Sequence, residues 1–263
     1  MLTNTRSDRV RSVRALSRRA VRERTGRFVA DGPQSVREAV RWAAGSVDDL
    51  YVTPEAGERY ADIVAAARNA GIHVHEASPE VLAAMSETDA PQGLLAVCRR
   101  ESPVLEEVLA AGPRLLVLLT NVRDPGNAGT VIRAADAAGA DAVLVSTDSV
   151  DVHSAKVVRS TAGSTFHLPV VTGLPVEATL DALAARGIRT LAADGTGEVS
   201  LADADLAGPH AWVMGNEAWG LAPEVAERCS SVVRIPIRGR AESLNLAMAA
   251  TVCLYASAGV LHG

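Results

Sequence analysis

The sequence has one lysine, Lys156, with two phenylalanines and three cysteines among 263 residues. A Walker-type phosphate loop needs its lysine directly after a run of glycines, and "DVHSAKVVRS" has none before Lys156, so an ordinary P-loop enzyme is excluded. Cys98, Cys229 and Cys253 have no paired spacing, which fits neither a disulfide framework nor a zinc site and points to a reducing compartment. Aromatics make up 3% of the chain, so a core has to be built from Ala, Val and Leu. No G-x-S-x-G elbow occurs, which disfavours a hydrolase of that design. Asp194, Gly195 and Gly197 in "AADGTGEVS" stop short of a full dinucleotide fingerprint. The amino terminus lacks the apolar stretch of a secretory signal. The apolar run Leu246–Leu261 is shorter than the roughly 20 residues that span a bilayer. The expectation is a cytoplasmic protein with no membrane segment.

With 48% hydrophobic and 22% charged residues, the chain can bury a real core, either as one large domain or as two unequal ones. Its net charge of −5 argues against wholesale coating of nucleic acid. Against that background the first residues are basic: Arg6, Arg9, Arg11, Arg14, Arg18, Arg19, Arg22, Arg24 and Arg27 face only Asp8 and Glu23. Arg11, Arg14, Arg18 and Arg22 recur at helical spacing, a positive stripe that suits phosphates or simply solvent.

From "RFVADGPQSVREAVRW" to "GLLAVCRR", strands alternate with helices, the pattern of an α/β fold. His73 and His75 share a strand face but lack a third ligand, so no metal site is expected. "ESPVLEEVLAAGP" is polar, helical and bounded by prolines, and reads as a linker. "RLLVLLT" then opens a second part with a continuous apolar run, as expected for a strand buried on both faces of a parallel sheet. The carboxyl ends of such strands are where α/β proteins hold ligands. Three loops there are rich in polar groups. The first carries Asn121, Arg123, Asp124 and Asn127, with Arg133 further along the following helix. The second is "VMGNEAWGL", with Gly215, Asn216 and Glu217. The third, "IPIRGRAESLNLAMAATVCLYA", carries Ser243 and Asn245. Convergence of the three would make one site, while Asn127 as a helix cap and Arg133 reaching into water is the alternative for the first loop.

"NVRDPGNAGTVIRAADAAGA", "VMGNEAWGL" and "IPIRGRAESLNLAMAATVCLYA" resemble the three signature motifs of the SpoU, or TrmH-like, RNA ribose 2′-O-methyltransferases of the SPOUT superfamily, in family order and spacing. "FVADGPQSVREAV" and "DAPQGLLAV" resemble the small substrate-binding domain, similar to certain ribosomal proteins, that precedes the catalytic domain in ribosomal-RNA members. The composition gives a basic arm at 1–28 and a linker at 101–112; the resemblance implies an α/β chain with an RNA substrate-binding domain at 29–100 and a trefoil-knotted methyltransferase domain at 113–263, its parallel sheet flanked by helices. It implies S-adenosylmethionine as cofactor, held by Ala192, Ala193, Met214, Gly215, Asn216, Ile235, Ile237, Ser243 and Leu244. It places the catalytic roles on Arg133, Asn127, Glu217, Ser243 and Asn245, and implies a homodimer formed through the knot. Arg11, Arg14, Arg18, Arg22, Arg123, Lys156 and Arg159 are the expected RNA contacts. Ribosomal RNA, 23S in particular, is the expected substrate. A transfer-RNA enzyme of the same family and a catalytically silent RNA-binding or ribosome-assembly factor are the alternatives.

Overall fold

The computed structural model describes residues 1–101 and 103–263, which fall into two compact units. The first comprises Met1–Glu101 together with Asp151–His167, and the second Ser102–Val150 with Leu168–Gly263.

The first unit begins with helices α1 (Asp8–Ala15) and α2 (Arg19–Thr25), followed by β1 (Arg27–Asp31) and α3 (Pro33–Trp42). It continues through β2 (Val47–Val52), α4 (Pro54–Arg59), α5 (Ala61–Asn69), β3 (His73–Glu76), α6 (Pro79–Met85) and β4 (Leu94–Arg99). The sheet order is β1-β4-β2-β3, antiparallel except for the β2–β3 pair. Because side chains alternate across a strand, both faces have apolar cover. Phe28, Leu50, Leu94, Ala96 and Cys98 pack with Val36, Ala39, Ile63 and Val64 on one side. Val29, Tyr51, Leu95 and Val97 pack with Val10, Val13, Leu16, Val81 and Leu82 on the other. The basic segment expected as an arm over 1–28 is therefore folded into this unit, its apolar positions buried and Arg11, Arg14 and Arg18 left exposed.

Arg22 does not join that exposed row. The chain breaks between α1 and α2, and Arg22 is 4% exposed. Its Nε and Nη2 donate to Asp151 Oδ2 at 2.9 and 2.6 Å, and its Nη1 donates to the carbonyls of Leu16 and Ser17. A guanidinium so engaged cannot meet an RNA phosphate, which corrects the expectation for this residue. The hydrogen bonds from Arg22 and from the His153 amide hold the Asp151 carboxyl below its usual range although burial pushes it up. Burial, with the charge of Arg100 second, drives the neighbouring His153 imidazole down from 6.5 to about 4. His153 is thus neutral in the fold, and protons added between pH 6.5 and 4 go to the unfolded chain. Its contribution is complete above pH 6.5 and is lost as the pH falls towards 4. Urea unfolding is expected to show about 1.5 kcal/mol less stability at pH 5 than at pH 6.5 from this group, with a visibly flatter pH dependence in His153→Gln. An unchanged slope in that variant would remove His153 from the account.

The second unit begins with α7 (Leu105–Ala110), β5 (Leu115–Leu119), α8 (Pro125–Ala137) and β6 (Ala142–Ser146). Helix α9 (Ala155–Ser160) belongs to the first unit, where Val158 enters the core beside Phe28. The chain then returns through β7 (Val170–Leu174), α10 (Val176–Ala185), β8 (Arg189–Ala193) and the two-residue β9 (Val199–Ser200). It ends with β10 (His210–Met214), α11 (Pro223–Arg228), β11 (Ser231–Arg234) and α12 (Leu246–Leu261). All seven strands are parallel, in the order β7-β6-β5-β10-β8-β11-β9. Every residue of β5, β6 and β10 is buried, as continuous apolar runs in a sheet covered on both faces require. The helical segment read as a linker contains α7, whose Leu105, Val108 and Leu109 enter this unit's core beside Leu116 and Leu118.

Helix α12 buries Leu246, Ala250, Cys253, Leu254, Ser257 and Leu261 at helical spacing. The Ser257 hydroxyl, fully buried, is satisfied from two sides. His210 Nδ1 lies 2.7 Å from the Gly208 carbonyl, which can only accept, so this nitrogen carries the proton. Burial holds the imidazole neutral, leaving Nε2 to accept from Ser257 Oγ at 2.7 Å while Trp212 Nε1 donates to that oxygen at 2.8 Å. Among the described residues no helix is long and apolar enough to cross a membrane.

Candidate active site

The carboxyl ends of β5, β8, β10 and β11 meet where the strand order reverses, the place where open α/β sheets hold ligands. A cavity of about 290 Å³ lies there. Met214–Asn216 and the end of β8 line it, with Ile235, Ile237, Leu244 and Leu246 as apolar side chains and Asp194, Glu217 and Glu242 as carboxylates. Ala193, Met214, Gly215, Asn216, Ile235, Ile237, Ser243 and Leu244, all expected at a cofactor site, line it together. Ala192 does not: it is fully buried inside β8, one residue short of the strand end.

The loop after β10 is closed on itself by reciprocal bonds between Asn216 and Gly220, N to O at 2.8 and 2.9 Å. Gly220 takes φ +72°, a left-handed conformation that favours glycine. Asn216 ties this loop to the first one, its Nδ2 donating to the Asn121 carbonyl at 2.7 Å. Asn121 itself has φ +57°, a strained conformation for a residue with a side chain.

Glu217 accepts from three donors of the first loop: the amide of Arg123 at 3.2 Å, the amide of Asp124 at 3.0 Å and Asn127 Nδ2 at 3.4 Å. A carboxylate only accepts, so Asn127 must turn its Oδ1 the other way. That oxygen accepts from Asn245 Nδ2 at 3.0 Å. Asn245 is then left with Oδ1 for the amides of Ala247 and Met248, which it caps at the start of α12. Each amide is oriented by the one before it, and three loops far apart in sequence are locked in one chain of bonds. Asp124, rather than Asn127, caps α8, accepting from the Asn127 amide at 2.7 Å.

Of the five residues expected to be catalytic, Glu217, Asn127 and Asn245 are thus bonded in series, and Ser243 lines the cavity. Arg133 lies on α8 about a turn and a half past Asn127, exposed and with no hydrogen bond or ion pair among the described residues. Arg123 is exposed beside Asn121, to whose Oδ1 it donates at 3.2 Å. Lys156 and Arg159 lie on α9, in the first unit, both exposed. That Asp194 and Glu242 line the cavity is not readable from the sequence: Glu242 lies within the third motif and Asp194 beside two glycines, and no spacing ties either to a ligand. Among the described residues no group of three or more His, Cys, Asp or Glu could hold a metal ion.

A small cation carrying a flat ring suits this cavity, because its carboxylates oppose positive charge and its aliphatic wall packs against a ring face. S-adenosylmethionine has both features, a sulfonium and an adenine.

The SpoU rRNA methylase model matches residues 114–255, and the MRM3-like substrate binding domain matches residues 7–96. The 23S rRNA (guanosine(2553)-2′-O)-methyltransferase RlmP of Bacillus subtilis is 32% identical over 97% of this chain and 97% of its own. The 23S rRNA (guanosine-2′-O-)-methyltransferase RlmB of Ralstonia nicotianae is 36% identical over 85% of this chain and 92% of its own. The crystal structure of an AdoMet-bound rRNA methyltransferase from Sinorhizobium meliloti superposes with a TM-score of 0.85 at 30% identity, over 97% of this chain and 96% of that one. With both parts matched in order and the cavity formed by the motifs that define the catalytic part, the chain belongs to the SpoU rRNA methylase family.

Proposed function

We propose that this protein transfers a methyl group from S-adenosylmethionine to a ribose 2′-hydroxyl of 23S ribosomal RNA, in the cytoplasm. The observation that carries this reading is the bonded series Glu217–Asn127–Asn245, whose Glu217 lines a cavity with carboxylates and an apolar wall. S-adenosylmethionine, when bound, supplies an electrophilic methyl on sulfur. Ala193, Met214–Asn216, Ile235, Ile237, Ser243 and Leu244 are the residues assigned to hold it, with Asp194 and Glu242 opposing its positive charge. Glu217, fully engaged with Arg123, Asp124 and Asn127, is a positioning residue rather than a base. A ribose hydroxyl is a weak nucleophile at neutral pH, so it needs charge stabilisation and in-line placement. A guanidinium only donates hydrogen bonds, so the hydroxyl proton leaves to the adjacent RNA phosphate or to water while Arg133 holds the hydroxyl oxygen and that phosphate. Asn127 and Asn245 fix the direction of approach.

RNA is held by the first unit and by Arg123, with Arg11, Arg14, Arg18, Lys156 and Arg159 as phosphate contacts. The segment between β11 and α12 is assigned as the threaded part of a trefoil knot. Two copies pair through α12: Met248, Val252 and Tyr255, at i, i+4 and i+7, are 53%, 42% and 52% exposed and form a stripe that water does not favour. In sedimentation velocity the wild type is expected to run as a dimer and Val252→Glu/Tyr255→Glu as a monomer with methyl transfer reduced at least about tenfold. A monomeric wild type, or a double variant that still dimerises, excludes this interface.

Mapping 2′-O-methyl riboses in ribosomal RNA from cells with and without the protein tests the whole reading. One ribose of 23S RNA that loses its methyl group supports it. Loss confined to transfer RNA assigns the other substrate, and no loss anywhere assigns a silent RNA-binding factor.

A further inference from the structure

Asp31 ends β1 and is buried, 7% exposed. Its Oδ2 accepts from Ser86 Oγ, whereas Oδ1 is buried with no hydrogen-bond partner. An orphaned carboxylate oxygen is costly in a folded protein, and it is most readily explained by something that binds to it. It lines a second cavity, of about 270 Å³, wholly within the first unit. Gln34, Thr88 and Gln92 line the same cavity, and Arg159 stands at its edge, exposed and without a hydrogen bond or ion pair among the described residues. Gly32 takes φ +92°, a conformation that favours glycine, and Gln92 Oε1 lies 3.3 Å from where a side chain would begin.

We propose that this cavity reads an unpaired guanine of the RNA, with the Asp31 carboxylate accepting from the Watson–Crick edge of the base and Arg159 holding a neighbouring phosphate. The inference rests on the chain being an RNA-modifying enzyme. A carboxylate only accepts, so it selects an edge with adjacent donors. Among the four RNA bases only guanine presents two side by side, N1–H and N2–H₂. Adenine and cytosine place a ring acceptor next to their amino group, and uracil flanks its one N–H with two carbonyls, so each sets an acceptor against the carboxylate. Gln34 and Gln92 carry amide N–H groups able to donate to guanine O6. Bases splayed from single-stranded RNA are read in this way, by hydrogen bonds to their Watson–Crick edge. The guanidinium at the rim suits a phosphate oxygen pair.

The test is fluorescence anisotropy on the full chain with labelled RNA hexamers of uridine carrying one central G, A or inosine, and with GMP as competitor. The G hexamer is expected to bind about tenfold tighter than the A hexamer, with inosine, which lacks the 2-amino donor, between them. Asp31→Asn is expected to bring G and A to within about twofold while S-adenosylmethionine binding is unchanged. Should that variant fail to fold, the inosine hexamer with wild-type protein asks the same question from the ligand side. A G preference that survives Asp31→Asn overturns the proposal, because the base is then read elsewhere. Equal binding of all three hexamers overturns it too, as does GMP binding more tightly than the G hexamer, which assigns the cavity to a free nucleotide. Arg133→Ala separates the two readings: it is expected to keep the G preference while losing transfer. Transfer to ribosomal RNA by a wild type that shows no preference sinks this inference alone.

Discussion

Replacing Arg133 with alanine is expected to lower methyl transfer by about a thousandfold or more while S-adenosylmethionine binds within about twofold of the wild type. The magnitude follows from what the group does. The ribose oxygen gains negative charge as its proton leaves, ready to attack the methyl, and one fixed donor aimed at that oxygen carries a large share of the barrier lowering. Arg133 can be removed cleanly, because it is exposed on α8 and supports no other side chain among the described residues. Its loss is therefore expected to change stability by no more than about 0.5 kcal/mol. Lysine keeps the charge but not the planar fork, so Arg133→Lys is expected to remain impaired by about a hundredfold. Tritiated-methyl transfer to ribosomal RNA, beside calorimetric binding of the cofactor, checks both variants. Turnover retained within tenfold in Arg133→Ala would defeat the assignment.

The second large effect lies at Gly215. A methyl group there would overlap the carbonyl carbon and oxygen of Gly220 and the amide nitrogen of Leu221. All three are backbone atoms, which cannot step aside by changing rotamer as a side chain can. Gly215→Ala therefore has to open the loop that the Asn216–Gly220 bonds close, and with it move Glu217 off the Arg123 and Asp124 amides. Overpacking of this kind is expected to remove about 1–3 kcal/mol of stability. Cofactor affinity is expected to fall at least about a hundredfold, since the loop lines the cavity. Gly239→Ala, where a methyl group meets nothing within 4 Å, is the matched control and is expected to bind normally. Equal affinity in both variants would show that the cofactor does not lie against Gly215.

The parallel sheet was legible because its evidence is local. "RLLVLLT", "DAVLVS" and "HAWVM" are short unbroken apolar runs, and a strand buried on both faces needs nothing else to declare it. The three polar loops were legible for the same reason, each lying next to such a run. That they converge came from resemblance, and their bonding pattern was not readable at all: Glu217 and Asn127 are 90 positions apart, and Asn127 and Asn245 are 118 apart. The basic segment shows the opposite case. Helical spacing put Arg22 on a face with Arg11, Arg14 and Arg18, yet the helix breaks, and Asp151, 129 positions away, draws the guanidinium inside. Spacing counts positions along one element and says nothing of a countercharge delivered by another.

Asp31 marks the same boundary. In the sequence it is the last residue of an apolar strand before a glycine, no different from any turn-forming aspartate. Its meaning comes from burial and from a missing partner, which exist only after Ser86 and Gln92 from one loop and Arg159 from a distant helix have been gathered around it. By itself the sequence determined the fold class, the order of the motifs and the chemistry available to each loop, because periodicity, turn residues and side-chain type act over a few neighbours. Which arginine is buried, which amide faces which carboxylate and which acid is left unpaired were decided by the tertiary structure alone, since hydrogen-bond direction and desolvation depend on groups that meet only when the chain is folded.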